Sequence, residues 1–315
     1  MKLKMTLLAG VMAFVPLNAM AADLTIGFSQ IGSESGWRAA ETTVTKQEAE
    51  KRGIDLKFAD AQQKQENQIK AIRSFIAQGV DAILLAPVVA TGWDEVLEEA
   101  KDAEIPVLLL DRTVDAPDDL YLTAVTSDLV HEGEVAGDWL QKATDGKECN
   151  IVELQGTTGS SPAIDRKKGF EKGISDAPNL KIIRSQTGDF TRSQGKVVME
   201  SFLKAEGGAN ICALYAHNDD MAVGALFAAH KMGLVIPDDL SITGFDDTPV
   251  SALIWPPLTT IHQPIQEMGY KAVELITDQI KNRRPGPAGH NEVLEHSIVE
   301  RQSTAPPHDL SAASI

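Results

Sequence analysis

Short apolar runs bounded by polar turns recur along the chain, and longer stretches with helical spacing lie between them. The runs at 24–29, 56–59, 82–86, 107–110, 151–154, 181–186, 213–216 and 241–245 read as strands. Ala82-Ile83-Leu84-Leu85-Ala86 and Val107-Leu108-Leu109-Leu110 are apolar throughout, as strands covered on both faces are. A helix opens at Trp37-Arg38, and others are expected over 67–78, 92–103, 132–142, 162–175, 192–205, 221–232 and 265–281. Strands alternating with helices predict parallel sheets covered by helices on both faces.

The alternation restarts. A first series ends near Asp111, and after 121–126 a helix leads into a second series that opens at Ile151. The expected fold is therefore α/β: two doubly wound parallel-sheet lobes joined by a three-segment hinge. Residues 22–125 with 263–292 are assigned to the first lobe and 126–262 with 293–315 to the second. The chain then crosses near Val125, His262 and Glu292. Ligands of such sheets collect beyond the carboxyl ends of the strands. Polar residues gather there: 32–38, Asp111-Arg112, 155–161, Asp189-Phe190, Asn218-Asp219-Asp220 and Asp246-Asp247. Two such ends facing each other make a cleft.

The N-terminus stands apart from this pattern. Lys2 and Lys4 precede an apolar run at 7–15, and Ala19-Met20-Ala21 supplies small residues at cleavage spacing. Residues 1–21 read as a secretory signal peptide, with the mature chain starting at Ala22 or Asp23. The apolar run is too short to span a bilayer core of about 30 Å. No cysteine at the cleavage point offers a lipid tether, so a free periplasmic protein is expected. The 315 residues carry 45 acidic against 29 basic side chains, a net charge of −16. That field repels phosphate backbones and argues against nucleic-acid binding.

Asp, Asn and Ser before helices can simply cap them, and Asn218 and Asp219 read equally well that way. Trp37, Arg38, Arg112 and Arg166 offer no cap oxygen. They supply a stacking face and donor forks, and Asp111 beside Arg112 adds acceptors to donors. Such groups suit a neutral polyhydroxylated ligand, with an aromatic ring over a sugar's C–H face. Catalytic patterns are weak. Gly32-Ser33-Glu34-Ser35-Gly36 has the glycine spacing of a nucleophile elbow, but Glu34 is at its centre. The loop 156–161 lacks the Lys of a phosphate-cradling loop. His217 beside Asp219 and Asp220 is a metal-like cluster whose adjacent side chains should diverge. No catalytic residue, metal or cofactor is assigned, and an enzyme is not expected. Cys149 precedes one strand and Cys212 opens another, and in a doubly wound lobe these strands would be parallel neighbours. A disulfide fits that geometry, and two small buried thiols are the alternative.

The stretches GFSQIGSESGWRAAE, DAQQKQENQIKAIRSFIAQGVDAILLAPVVATGW, LLLDRTVD, VELQGTTGSSPAIDRKKGF, GDFTRSQGK and YAHNDDM closely resemble galactofuranose-binding receptors of the ribose-binding type, which serve ABC importers. The resemblance runs from the N-terminus to about residue 220. It implies a monosaccharide ligand, a membrane permease as partner, and contacts from Glu34, Trp37, Arg38, Asp111, Arg112, Arg166, Phe190 and Asn218. It places Arg38 where ribose-binding members carry an aromatic, implying a ligand larger than a pentose. From MAVGALFAAHKMGLVIPDDLSITGFDDTPVSALIWPPLTTIHQPIQEMGYKAVELI onward the chain resembles the effector core of LacI/GalR repressors, which share the two-lobed fold. The wider superfamily implies Asp246 and Gln263 as further contacts. A repressor-like sensing core without a DNA-binding domain is the alternative reading. Importer receptors are generally monomeric, which is the expected state here.

Overall fold

The computed structural model describes residues 24–282 and 292–305. The expected signal segment and its cleavage point lie outside the described residues, as does the 306–315 part of the second-lobe assignment. Among the described residues no helix is long and apolar enough to cross a membrane.

In chain order, β1 (Thr25–Gln30), α1 (Gly36–Lys51), β2 (Asp55–Asp60), α2 (Gln65–Gln78), β3 (Ala82–Leu85), α3 (Asp94–Asp102), β4 (Val107–Leu110) and β5 (Ala124–Ser127) form the first series. The second contains α4 (Leu129–Thr144), β6 (Cys149–Gln155), α5 (Ser161–Gly173), β7 (Leu180–Thr187), α6 (Arg192–Glu206), β8 (Ala213–Ala216), α7 (Asp219–Lys231), β9 (Ser241–Asp246), α8 (Pro249–Leu253) and β10 (Thr259–His262). The chain then returns through α9 (Ile265–Asn282) and β11 (Glu292–Leu294) before ending on β12 (Ser297–Val299). The strand orders are β11-β5-β4-β3-β1-β2 and β12-β10-β9-β8-β6-β7. Among the described residues the strands pair in parallel except β10 with β12. These are two doubly wound sheets of like topology, as the alternation predicted.

The apolar strands explain the layering. Ile26, Leu84 and Leu108 face one layer, where α9 packs Met268, Ala272 and Ile276 onto them. Ile83, Leu85 and Leu109 face the other, against Ile72, Trp93 and Leu97 of the opposite face. Full burial contributes about 1.5–3 kcal/mol for each large apolar side chain, so both faces of each sheet are fixed. In the second lobe α4 and α5 come unusually close. A Cβ on Gly133 would collide with the Arg166 carbonyl and lie 2.7 Å from Phe170 N. Glycine there lets the two backbones touch, and this sets Glu132 of α4 beside Arg166 of α5.

Boundaries shift where local chemistry overrides periodicity. Helix α4 begins three residues before the expected start because Asp128 accepts from His131 N and caps it. Helix α3 waits until Asp94 because Gly92, at φ +82°, is not helical. The short elements α8, β10, β11 and β12 were not foreseen; three to five residues carry too little periodicity to register. The hinge passages also move. Val125 pairs with Glu292 and Ser127 with Leu294, so both chains stay in the first sheet for two further residues. The first crossing therefore follows Ser127 and the third follows Leu294, later than the expected Val125 and Glu292. The second lies between His262 and Ile265.

Cys149 and Cys212 are bonded, with Cα atoms 5.3 Å apart across the β6–β8 pair. The thiol alternative is thereby excluded. The link closes a 63-residue separation, and a loop of that length stabilises the fold by about 2–4 kcal/mol. Thermal unfolding of the Cys149→Ser, Cys212→Ser double variant should show a loss of this size, and reductant should reproduce it in the unaltered protein.

Candidate functional site

Helix starts deliver the site. Ser35, Ser160, Thr191 and Asn218 cap α1, α5, α6 and α7 by accepting from the third residue on. All four helices begin at strand carboxyl ends, so their first turns converge on the space between the lobes. A small cavity of about 20 Å³ lies there, tightly enclosed by side chains of both lobes.

The first lobe supplies Glu34, Trp37, Arg38, Asp111 and Arg112 to its wall. Arg38 Nη1 donates to Glu41 Oε2 at 2.6 Å, and Nη2 donates to Asp111 Oδ2. Burial would lower the Arg38 pKa, but Asp111, Glu41 and Glu34 outweigh it and raise it. Arg112 has the opposite balance. Burial and the neighbouring Arg38 push it down to about 10, with Asp111 offsetting only part. Asp111 sits at φ +68°, a left-handed turn that swings Arg112 back so that Nη1 donates to the Val88 carbonyl at 2.9 Å. Two buried polar atoms on this wall, Glu34 Oε2 and Arg112 Nε, make no hydrogen bond. Leaving each one unpaired costs about 1–3 kcal/mol, so the cavity calls for a guest that both donates and accepts.

The second lobe supplies Pro162, Arg166, Phe190, Asn218 and Asp246. Arg166 Nε donates to Glu132 Oε2 at 3.0 Å, Nη1 donates to the His217 carbonyl at 2.6 Å, and Nη2 lies 3.9 Å from Asp246 Oδ1. Burial pushes the Asp246 carboxyl well above its usual range, against the pull of Arg166. Phe190, at φ +58°, turns its ring over Gly156, where any Cβ would enter the ring. The Arg112 guanidinium lies 5.1 Å from that ring. Asn218 combines both roles considered for it: it lines the cavity and caps α7, and its Nδ2 donates to the Phe190 carbonyl.

Nine of the ten expected contacts thus share one cavity, and Gln263 does not. It stands at the second hinge passage, where Nε2 donates to Glu132 Oε2 at 3.3 Å. It therefore touches the partner of Arg166 rather than the cavity wall. The suspected cluster around His217 diverges. Asp219 accepts from Thr248 and Thr260, while Asp220 pairs with Arg192. Glu41 and Glu132 were missed. Glu41 stands three residues after Arg38, a helical pairing distance that could have signalled it. Glu132 is 34 residues from Arg166, and no local pattern reports it.

Behind the site, His217 Nδ1 accepts from Gly156 N, so its Nε2 carries the proton and donates to Glu153 Oε1 at 3.1 Å. Glu153 also accepts from Ser185 and Lys167. Burial would raise this carboxyl, but the His217, Ser185 and Lys167 partners hold it at about 2, below the ordinary 4.5. A depressed carboxyl stabilises the fold above the unfolded value, and the contribution is lost as pH falls through the folded one. Between pH 4.5 and 2 the protein should lose about 3 kcal/mol from this group. Denaturant melts across that range should show a shallower acid decline for Glu153→Gln.

The lobes are closed on one another. Ala90 N donates to the Gly159 carbonyl at 2.8 Å, Thr113 N to Ser161 Oγ at 3.1 Å, and Gly36 N to Asp220 Oδ2 at 2.7 Å.

A family model described as a periplasmic binding protein domain matches residues 26–284. The galactofuranose-binding protein YtfQ of Escherichia coli (strain K12) is 64% identical over 248 residues, 78% of each chain. A crystal structure of a galactofuranose binding protein superposes with a TM-score of 0.84 at 56% identity, over 88% of this chain and 94% of that one. The periplasmic binding component of the arabinose ABC transporter from Shewanella sp. ANA-3, bound to α- and β-L-arabinofuranose, gives 0.82 at 49% identity, over 87% and 91%. Two like doubly wound sheets, three crossings, a closed cleft and these matches lead to one statement: this chain belongs to the periplasmic binding protein family.

Proposed function

We propose that this protein is the periplasmic sugar receptor of an ABC importer. It binds one monosaccharide in its furanose form, galactofuranose, between the lobes and presents the closed complex to a membrane permease. The observation that carries this reading is the pair of buried atoms without hydrogen bonds, Glu34 Oε2 and Arg112 Nε, on the wall of the cavity between the lobes. A hydroxyl can donate to the first and accept from the second. The five-membered rings named for its relatives support the furanose preference.

Trp37 covers the ring face, Arg38 and Asp111 face hydroxyls from the first lobe, and Arg166, Phe190, Asn218 and Asp246 close from the second. Hinge closure follows from contact with both lobes, since a ligand shifts the equilibrium only by its differential affinity for the closed state. The charged side chains around the cavity are engaged with each other, Arg38 with Asp111 and Glu41 and Arg166 with Glu132. That arrangement suits binding rather than turnover.

Titration calorimetry with galactose, locked galactopyranosides, ribose and arabinose tests the proposal. Free galactose, which contains a furanose fraction, should bind while the locked pyranosides do not. Ribose binding best, or hydrolysis of a glycoside, would overturn it.

A further inference from the structure

The geometry points to Asp220 as a latch that holds the two lobes shut and so sets how long a bound sugar stays, without touching the sugar. Its Oδ2 accepts from Gly36 N at 2.7 Å across the cleft. Gly36 is the first residue of α1, and the opening N–H groups of a helix have no partner within it. They also carry the positive end of the helix dipole, which favours a carboxylate. Ser35 Oγ serves the Arg38 N–H, so the cap leaves the Gly36 N–H to the opposite lobe.

The carboxylate is aimed before closure. Arg192, in the same lobe, donates to the other oxygen, Oδ1, from Nη2 at 2.6 Å and Nε at 3.1 Å. Oδ2 is left pointing outward for α1. In the closed molecule Asp220 is 7% exposed, and opening returns both Oδ2 and the Gly36 N–H to water. Of the other interlobe bonds, Ala90 to Gly159 and Thr113 to Ser161 join neutral groups, and Gln263 to Glu132 is a longer contact at the hinge. The Asp220 bond is charge-assisted and therefore about twice as strong as the neutral ones. Asp220 is not part of the cavity wall; it borders a neighbouring groove with Arg192, Lys196 and Phe227, and that groove shares only Glu34 with the cavity.

The latch rests on the receptor reading in one respect: it needs a ligand that closes the lobes. It acts on the closed state whatever sugar that state contains. Asp220→Ala should therefore raise the dissociation rate and the Kd about tenfold, by the same factor for each sugar bound. The association rate and the order of preference should stay as they are. Arg192, with 48% of its side chain exposed, remains solvated in that variant.

Gly36→Pro reaches the same bond from the other side. Proline suits the first helical position and removes its N–H. Ser35, at φ −138° and ψ 163°, already has the extended backbone that precedes proline. A Cβ at Gly36 would meet Asp220 Oδ2 and Thr248 Cγ2 at 3.5 and 3.7 Å, ordinary contacts. Its Cδ takes the place of the N–H aimed at Asp220 Oδ2, so this variant removes the bond and adds a clash: it should lose at least as much as Asp220→Ala, and the double variant no more than Gly36→Pro alone.

Stopped-flow binding on the full chain, with ligand-free melts alongside, reads all of this. An unchanged dissociation rate in the single variants, a loss confined to association, a reordered sugar preference, or additive losses would each overturn the latch. If Asp220→Ala does not fold, Gly36→Pro decides alone. Failure of the unaltered protein to bind any sugar would overturn the receptor reading and the latch with it. Binding by the unaltered protein, with variants that release sugar no faster, would overturn the latch alone.

Discussion

Replacing Trp37 with alanine should weaken sugar binding about thirty-fold, a loss of about 2 kcal/mol. The indole does two jobs. It lines the cavity, and it is 4% exposed within the core that holds Ile26, Phe28 and Met268. On the proposed reading, removing it takes away the surface offered to a sugar ring and admits water to the hydrogen bonds of Arg38 and Asp111 beside it. The same change opens a cavity in the first lobe, which costs about 3–5 kcal/mol of stability. Calorimetry must therefore be run well below the melting point of the variant. An unchanged affinity in folded Trp37→Ala protein would place the ligand elsewhere.

The second large effect is on stability. Arg166→Ala should destabilise the second lobe by about 3–5 kcal/mol, because it leaves Glu132 buried without its cation. The Glu132 side chain is fully buried, and its Oε1 already has no partner. Asp246 loses its nearest positive charge and the His217 carbonyl its donor. At about 2–4 °C per kcal/mol, the melting temperature should fall by about 10 °C. Arg166→Lys should recover only part, since an ammonium cannot reach the carboxylate and the carbonyl in the same fork. Differential scanning calorimetry decides it. A drop below about 1 kcal/mol would mean that the Glu132 charge is met by water or a proton, and the pairing would then carry little weight.

These residues also mark the limits of what the sequence discloses. The architecture was legible because β3 and β4 are apolar at every position and because the strand–helix alternation visibly restarts. The cavity was legible because parallel strands deliver their following turns to one end, so Trp37-Arg38 and Asp111-Arg112 were placed by topology and side-chain chemistry, while Asp246 became a contact through the wider resemblance. Arg166, Phe190 and Asn218 gained weight from the resemblance. Gln263 came from the wider resemblance, and it lies off that cavity, at the passage between lobes, where its Nε2 donates to Glu132. The partners of the buried arginines were hidden because a glutamate at a helical position reads as solvent-facing. Glu132 becomes a buried counter-ion only when glycines at the α4–α5 contact bring the two helices together. The latch was hidden in the same way, as Gly36 and Asp220 are 184 positions apart.

The placement of β11 and β12 bears on the order in which the molecule can be assembled. One strand completes the edge of the first sheet, and the other completes the edge of the second. Both come from residues 292–299, after every other element has been synthesised. Neither lobe can acquire its full sheet while the chain is still emerging, even though the first lobe's other strands are complete by Ser127. Pairing of such distant segments is slow, because loop closure must precede the contacts that reward it.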